Sequence, residues 1–353
     1  MTPHTILITG ASGYVGAMLA EQFSKRPDVE RIVCLDKDPE PPLLSGNRKI
    51  EFIRANTADS AWQEKARSAS PDIVIHAAWQ IRSFYGNRVK ERRWNIDGSN
   101  AVFRFAFETP SVKRLIHFST ASIYGALPNN TMEHLFREDE PMREEEYPYG
   151  VQKRKVEEDL RALVKEKTEK GNAAPAVYIV RPAAITGPRG RSLHYRFGLQ
   201  SALSGTLRGS FVYGIVRLLV SFVPATKGWV RQFVHEDDVA DIVGRLAFQE
   251  GLSRFSVFNL APPGSPVLAP DMGKAVGKRV LYLTPALIRC AYFLFWHLTA
   301  GRIPTVRGSW KFYSYPLLLD GSKVEKDLGH RYFLDSKRAF TEDAGRYADV
   351  HAR

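Results

Sequence analysis

A chain of 353 residues with 44% hydrophobic content can bury a large core, and the absence of low-complexity tracts excludes a fibrous or disordered protein. Two cysteines, Cys34 and Cys290, give neither a disulfide framework nor a zinc spacing, so a reducing, cytoplasmic setting and no metal are expected. The net charge of +12 favours an anionic partner, a small molecule or a membrane surface, but no recognition motif for nucleic acid accompanies it and none is expected as a partner.

The first element predicted is a strand, Thr5-Ile6-Leu7-Ile8-Thr9, too short for a signal peptide and ending in Gly10, Gly13 and Gly16. Val15, Leu19 and Phe23 recur four apart behind it and predict a helix. Strand, glycine turn and helix together form the context in which such a triad cradles a dinucleotide. Gly10 permits the turn, Gly13 lets backbone approach a pyrophosphate, and Gly16 lets helix and strand pack closely. Tyr14 and Val15 open the helix, whose N-terminus offers unpaired N–H groups to phosphate.

Residues 31–36 predict a second strand ending in Asp36, twenty positions after Gly16, where an acid can accept adenosine ribose hydroxyls. A carboxylate there repels a 2′-phosphate and favours NAD over NADP, tempered by the neighbouring Lys37. A third strand, 49–54, leads to Asn56 and Thr57, placed to touch adenine. A helix around Trp62 to Ala69 follows, then a fourth strand, 72–78. Its small residues Ala77 and Ala78 let a flat ligand lie on the backbone, and its His76 reads as a packed side chain. Arg82, Arg88, Lys90, Arg92 and Arg93 read as a solvated helix face within a long helical region holding Asn95 and Gly98.

The fifth strand, 114–118, ends in Ser119-Thr120-Ala121-Ser122. Repeated strand–helix alternation predicts an α/β fold of the Rossmann type, a doubly wound parallel sheet with ligands beyond the strands' carboxyl ends. Tyr149 and Lys153, four apart on one predicted helix, share a face, and an ammonium beside the phenol is expected to lower its pKa. Two late apolar stretches, 211–223 and 281–298, are interrupted by charges and are too short to span a bilayer; they predict pocket-covering helices, with peripheral membrane contact as the other reading.

In order along the chain these motifs resemble the extended short-chain dehydrogenase/reductases, the NAD-dependent epimerase/dehydratase family. The resemblance rests on the glycine triad, Asp36, His76-Ala77-Ala78, Asn95-Ile96-Asp97-Gly98, Thr120-x-x-x-Tyr124-Gly125, Tyr149-x-x-x-Lys153, Arg181-Pro182 with Gly187-Pro188, and Arg231 through Ala240. It implies Tyr149 as the acid/base, Lys153 on the nicotinamide ribose, Thr120 on the reacting oxygen with Ser122 in reserve, and Pro182 and Asn95 at the cofactor. Arg231 matches an arginine that binds the substrate diphosphate in many epimerases. Ala121 and Ser122 stand where family dehydratases carry an Asp-Glu pair, which disfavours dehydration. Ala184 replaces an asparagine common in sugar-nucleotide members.

The resemblance therefore implies a hydride transfer at a hydroxyl or ketone carbon, with a sugar nucleotide as the leading substrate. A hydroxysteroid-like or lipid-linked alcohol and a catalytically silent NAD-binding regulator are the alternatives. Residues 1–187 and 229–262 are expected to form the cofactor domain, and 188–228 and 263–353 a smaller substrate lobe. A homodimer is expected by analogy with the family.

Overall fold

The computed structural model describes residues 3–171, 173–190, 222–275 and 277–349. Its centre is a seven-stranded sheet of β1 (His4–Thr9), β2 (Val29–Asp36), β3 (Ile50–Arg54), β4 (Ile73–His76), β5 (Arg114–Phe118), β6 (Ala176–Pro182) and β7 (Phe255–Leu260). The strands lie in the order β7-β6-β5-β4-β1-β2-β3, and every pairing is parallel.

Alternate residues of β1 enter different cores. Ile6 and Ile8 pack with Met18, Leu19, Val239 and Ile242 on one face of the sheet. Leu7 packs with Val102, Phe105, Val156 and Leu160 on the other. A strand covered on both faces reads as a continuous apolar run, as Ile6-Leu7-Ile8 does, and the buried Thr9 that ends it is satisfied by His76 at 2.7 Å. The chain runs from β1 outward to β3 and returns to β4 on the other side of β1. That reversal opens a crevice beyond the carboxyl ends of β1 and β4.

The helical region expected around Asn95 is divided. A short helix, Arg88–Arg92, passes through a π-helical turn, Arg93–Asp97, into the helix Gly98–Glu108. The Thr57 side chain packs so closely on Gly98 that a Cβ there would collide with its hydroxyl. The π turn swings Asn95 inward and buries it.

A second group of short strands sits over the crevice. Phe222–Ala225 pairs with Arg279–Tyr282, Val230–Arg231 with Val267–Leu268, and Phe233–His235 with Ala184–Thr186. Ala225, Trp229, Phe233, Val267 and Leu334 form its core. The apolar stretch 211–223 lies outside the described residues except for Phe222 and Val223. The helix Pro285–Leu298 starts with proline at its first turn and with the Thr284 hydroxyl accepting from the Leu287 amide. Farther on, Val324, Leu328 and Tyr347 return to the core on the sheet, although they fall in the stretch that the sequence assigns to the second lobe.

Candidate active site

A cavity of about 1500 Å³ runs from the glycine loop, across the strand ends, to the group of short strands over the crevice. Gly10 has φ +78°, and a Cβ on it would lie 2.6 Å from the Ala78 amide nitrogen. The loop thus presses β1 against the end of β4, with Gly13 N donating to the Gly10 carbonyl at 3.0 Å. A Cβ on Gly16 would collide with the same carbonyl. Gly13 caps the helix Tyr14–Ser24 with extended backbone and no side chain, leaving the first amides open toward the cavity. This is a cradle that any side chain would fill, and it suits a pyrophosphate.

At the β2 end, Asp36 accepts from the Ser12 amide at 3.0 Å and the Asp38 amide at 3.0 Å. Burial raises its pKa, and those two amides work against the rise. The carboxylate is held toward the cavity, with oxygen lone pairs left for hydroxyl donors. Lys37 turns to Asp38, its ammonium 2.5 Å from that carboxylate, and lies over the Trp94 ring at 5.3 Å. Asn56 and Thr57 line the same end, and Ala77, Ala78, Tyr14 and Val15 line the floor. The residues present therefore fit a dinucleotide with a free ribose diol.

Tyr149 stands in the first turn of the helix Pro148–Glu169. Its phenol is hydrogen-bonded to the Thr120 side chain, and burial raises its pKa, that hydrogen bond opposing the rise. The Thr120 hydroxyl also accepts from the Ser122 amide at 3.2 Å, which sets its orientation. Thr120, Ser122 and Tyr149 all line the cavity, and so do Pro182 and Arg231.

Two expectations are corrected here. Lys153 does not lower the Tyr149 pKa: its ammonium donates to the Phe118 carbonyl at 2.5 Å and lies 3.8 Å from the Trp79 ring centre. Asn95 is not at the cavity wall. It accepts from the Gln80 amide at 2.8 Å and donates to the Gln80 carbonyl at 3.1 Å and to Gln152 at 2.8 Å, so it fixes the loop that carries Trp79. Lys153, too, lies behind the wall and is screened by Trp79.

Burial brings the Lys153 pKa down from 10.5 to about 7, opposed by Glu157 one turn along. Behind it, His76 and His117 stack at 5.4 Å. Burial, with Lys153 adding to it, takes His76 to about 3, so both rings stay neutral beside the ammonium. Between about pH 7 and 10.5 the folded chain holds fewer protons at Lys153 than the unfolded chain, so its contribution to stability improves as pH rises through that window. Lys153→Met is therefore expected to be more stable than the native chain below pH 7 and to lose that advantage toward pH 10.5. Thermal unfolding of both across this range checks it; a difference independent of pH contradicts it.

The substrate side of the cavity is aromatic and cationic. Tyr147, Tyr292, Phe295, Trp296, Phe312 and Tyr313 line it. Arg231 lies 5.3 Å from the Tyr313 ring and 5.9 Å from the Trp229 ring, and no carboxylate pairs with it among the described residues. A half-buried guanidinium held by aromatic faces is ready for an anion.

Two participants were missed in the sequence. Trp79 follows Ala77-Ala78 directly, and its ring meets Tyr149 edge-on at 6.2 Å; its place just past the end of β4 was the available signal. Glu236, fully buried, receives the Tyr14 hydroxyl and the amides of Arg189 (3.1 Å) and Gly190 (3.0 Å). It lies 222 positions from Tyr14 and ties the glycine loop to the segment after β6, and no local pattern announces that.

Residues 6–261 match the family described as the NAD dependent epimerase/dehydratase family. An uncharacterized protein of Mycobacterium tuberculosis is 24% identical over 351 residues, covering 96% of this chain and 83% of its own. The Bordetella bronchiseptica enzyme WbmG in complex with NAD and UDP has a similar fold, with TM-score 0.68 and 24% identity over 98% of this chain and 95% of that one. UDP-glucose 4-epimerase of Thermotoga maritima, with UDP-glucose, gives TM-score 0.68 at 20% identity over 98% of each chain.

Proposed function

The chain belongs to the NAD dependent epimerase/dehydratase family, and on that premise we propose that it carries out an oxidoreduction at a hydroxyl or ketone carbon of a sugar nucleotide, as an epimerase or reductase. The observation that carries the substrate class is Arg231, a cavity-lining guanidinium beside Trp229 and Tyr313 with no carboxylate partner among the described residues. Its place suits the diphosphate of a nucleotide sugar whose sugar reaches Tyr149. The resemblance of WbmG and the Thermotoga epimerase, crystallised with UDP and with UDP-glucose, supports the same class.

NAD would be held by the amides behind Gly10, Gly13 and Gly16 at its pyrophosphate, by Asp36 at its ribose diol, and by Asn56 and Thr57 near adenine. When bound, its nicotinamide supplies the two-electron acceptor and donor. The rest of the chemistry belongs to side chains. Tyr149 gives a proton to the substrate oxygen on reduction and takes it on oxidation. Thr120 hydrogen-bonds that oxygen and the phenol together, holding the proton's path in line. Burial keeps Tyr149 protonated at neutral pH, the form in which it donates. Lys153, held on the Phe118 carbonyl behind Trp79, positions that ring against Tyr149. Ala121 and Ser122 provide no carboxylate for water elimination, in keeping with epimerisation or reduction over dehydration.

The aromatic wall favours one second reading, a dehydrogenase of a bulky apolar alcohol, with Ala184 in place of a polar side chain. Arg231→Gln separates the two. For a sugar nucleotide, losing a charged hydrogen bond of about 1.5–3 kcal/mol weakens binding roughly 10- to 150-fold. Titrating UDP, GDP and dTDP into NAD-saturated protein and variant measures it. Tight binding of one nucleotide, lost in the variant, is expected; no binding of any, or equal binding by both proteins, rejects the sugar-nucleotide reading.

A further inference from the structure

The helix Pro285–Leu298 has two apolar faces, and one of them is uncovered. Ile288, Ala291, Tyr292, Phe295 and Trp296 turn inward and line the cavity. The opposite arc carries Leu287, Cys290, Phe293, Leu294 and Leu298, all exposed, Phe293 at 62% and Leu298 at 70%. At 3.6 residues per turn these form one continuous stripe with Arg289 at its edge. A surface helix ordinarily puts polar residues there, and an exposed apolar patch marks a contact. Tyr85 extends it. Its ring packs on Trp296 at 5.5 Å and its hydroxyl meets His297 Nδ1 at 3.1 Å, bringing the segment with exposed Ile81 to the end of the helix.

Charge identifies the partner. Between Asp271 and Asp320 the sequence contains no Asp or Glu and seven Lys or Arg. Arg307 and Lys311 pair with Glu146, whereas Arg279, Arg289 and Arg302 are exposed with no carboxylate partner among the described residues. A second copy of the chain, meeting this face through a twofold axis, would set like charge against like charge. A bilayer of anionic lipid supplies both an apolar layer and negative headgroups. The helix is roughly 21 Å long, too short for a hydrocarbon core of about 30 Å, and no described helix is long and apolar enough to cross a membrane. It suits a position in the plane of the interface.

We propose that the outer face of Pro285–Leu298, with Arg289 at its edge and exposed Arg279 and Arg302 in the segments before and after the helix, docks on an anionic phospholipid surface. The helix that walls the substrate side of the cavity then lies in the headgroup layer. This inference stands independently of the substrate assigned above.

Flotation of the full chain with phosphatidylcholine vesicles, with and without phosphatidylglycerol, tests it. Binding is expected to rise at least about tenfold with the anionic lipid and to fall several-fold in high salt. Leu294→Asp with Leu298→Asp should lower it at least about tenfold while NAD affinity is unchanged. If that variant loses NAD affinity, Arg289→Glu replaces it and should weaken vesicle binding several-fold. Equal flotation with neutral and anionic vesicles, none with either, or unchanged binding by the variants overturns the proposal. So does a dimer that the aspartates dissociate without affecting vesicle binding, which would assign the face to a second copy.

Discussion

Tyr149→Phe is expected to lower kcat by about 10²- to 10⁴-fold, the range for loss of a positioned acid/base, with little change in NAD affinity. The phenol lines the cavity and is hydrogen-bonded to Thr120 from the helix that also carries Lys153. Phenylalanine keeps the ring and its edge-on contact with Trp79, so the fold has no reason to respond. Loss of turnover with unchanged thermal stability and unchanged NAD binding isolates proton transfer. A variant that turns over at the native rate removes Tyr149 from the chemistry.

Glu157→Ala is the second large effect, this time on stability. Glu157 and Arg181 are 0% and 1% exposed, joined by contacts of 2.5 and 3.2 Å, with Arg161 at 2.9 Å and the Arg181 guanidinium donating to the Tyr124 hydroxyl at 2.5 Å. Burial pushes the Glu157 carboxyl up, yet Arg181 and Arg161 outweigh it and hold the pKa below the usual range. Removing the carboxylate strands a buried guanidinium, which costs about 3–5 kcal/mol. Pairing the change with Arg181→Met should recover much of that loss, because the uncompensated charge goes with it. Denaturant unfolding of the three variants measures both. A single variant within about 1 kcal/mol of the native chain would mean that water or another group reaches Arg181. The same substitution withdraws the one charge opposing the low pKa of Lys153, so the pair links the sheet's foundation to the site above it.

The sequence was most informative where function is encoded locally. Gly10, Gly13 and Gly16 lie on one turn, Asp36 ends its own strand, and Tyr149 and Lys153 occupy one helix face. The repeated strand–helix alternation predicts a parallel sheet covered on both faces, and the seven-stranded sheet has a core on each. What sequence could not supply is what distant segments do to these groups. The Lys153 ammonium was expected at the Tyr149 phenol. Its partners are instead the Phe118 carbonyl, 35 positions away, and the Trp79 ring. Asn95 matched a family position but was turned toward Gln80 by a π-helical turn, a backbone irregularity without a periodic signature. Glu236 became the anchor of Tyr14 only because the helix Glu236–Phe248 packs beside the glycine loop. Burial set the pKa directions of Tyr149 and Lys153, and burial is a property of the whole fold.

We propose that this cavity joins NAD chemistry to a sugar nucleotide through Tyr149. The most direct test is conversion of a panel of UDP-, GDP- and dTDP-sugars in the presence of NAD, followed by nuclear magnetic resonance of the sugar, for the native chain and Tyr149→Phe side by side. At least one nucleotide sugar should be epimerised or reduced by the native chain and left unchanged by the variant. No conversion across the panel, or equal conversion by both proteins, would contradict the account.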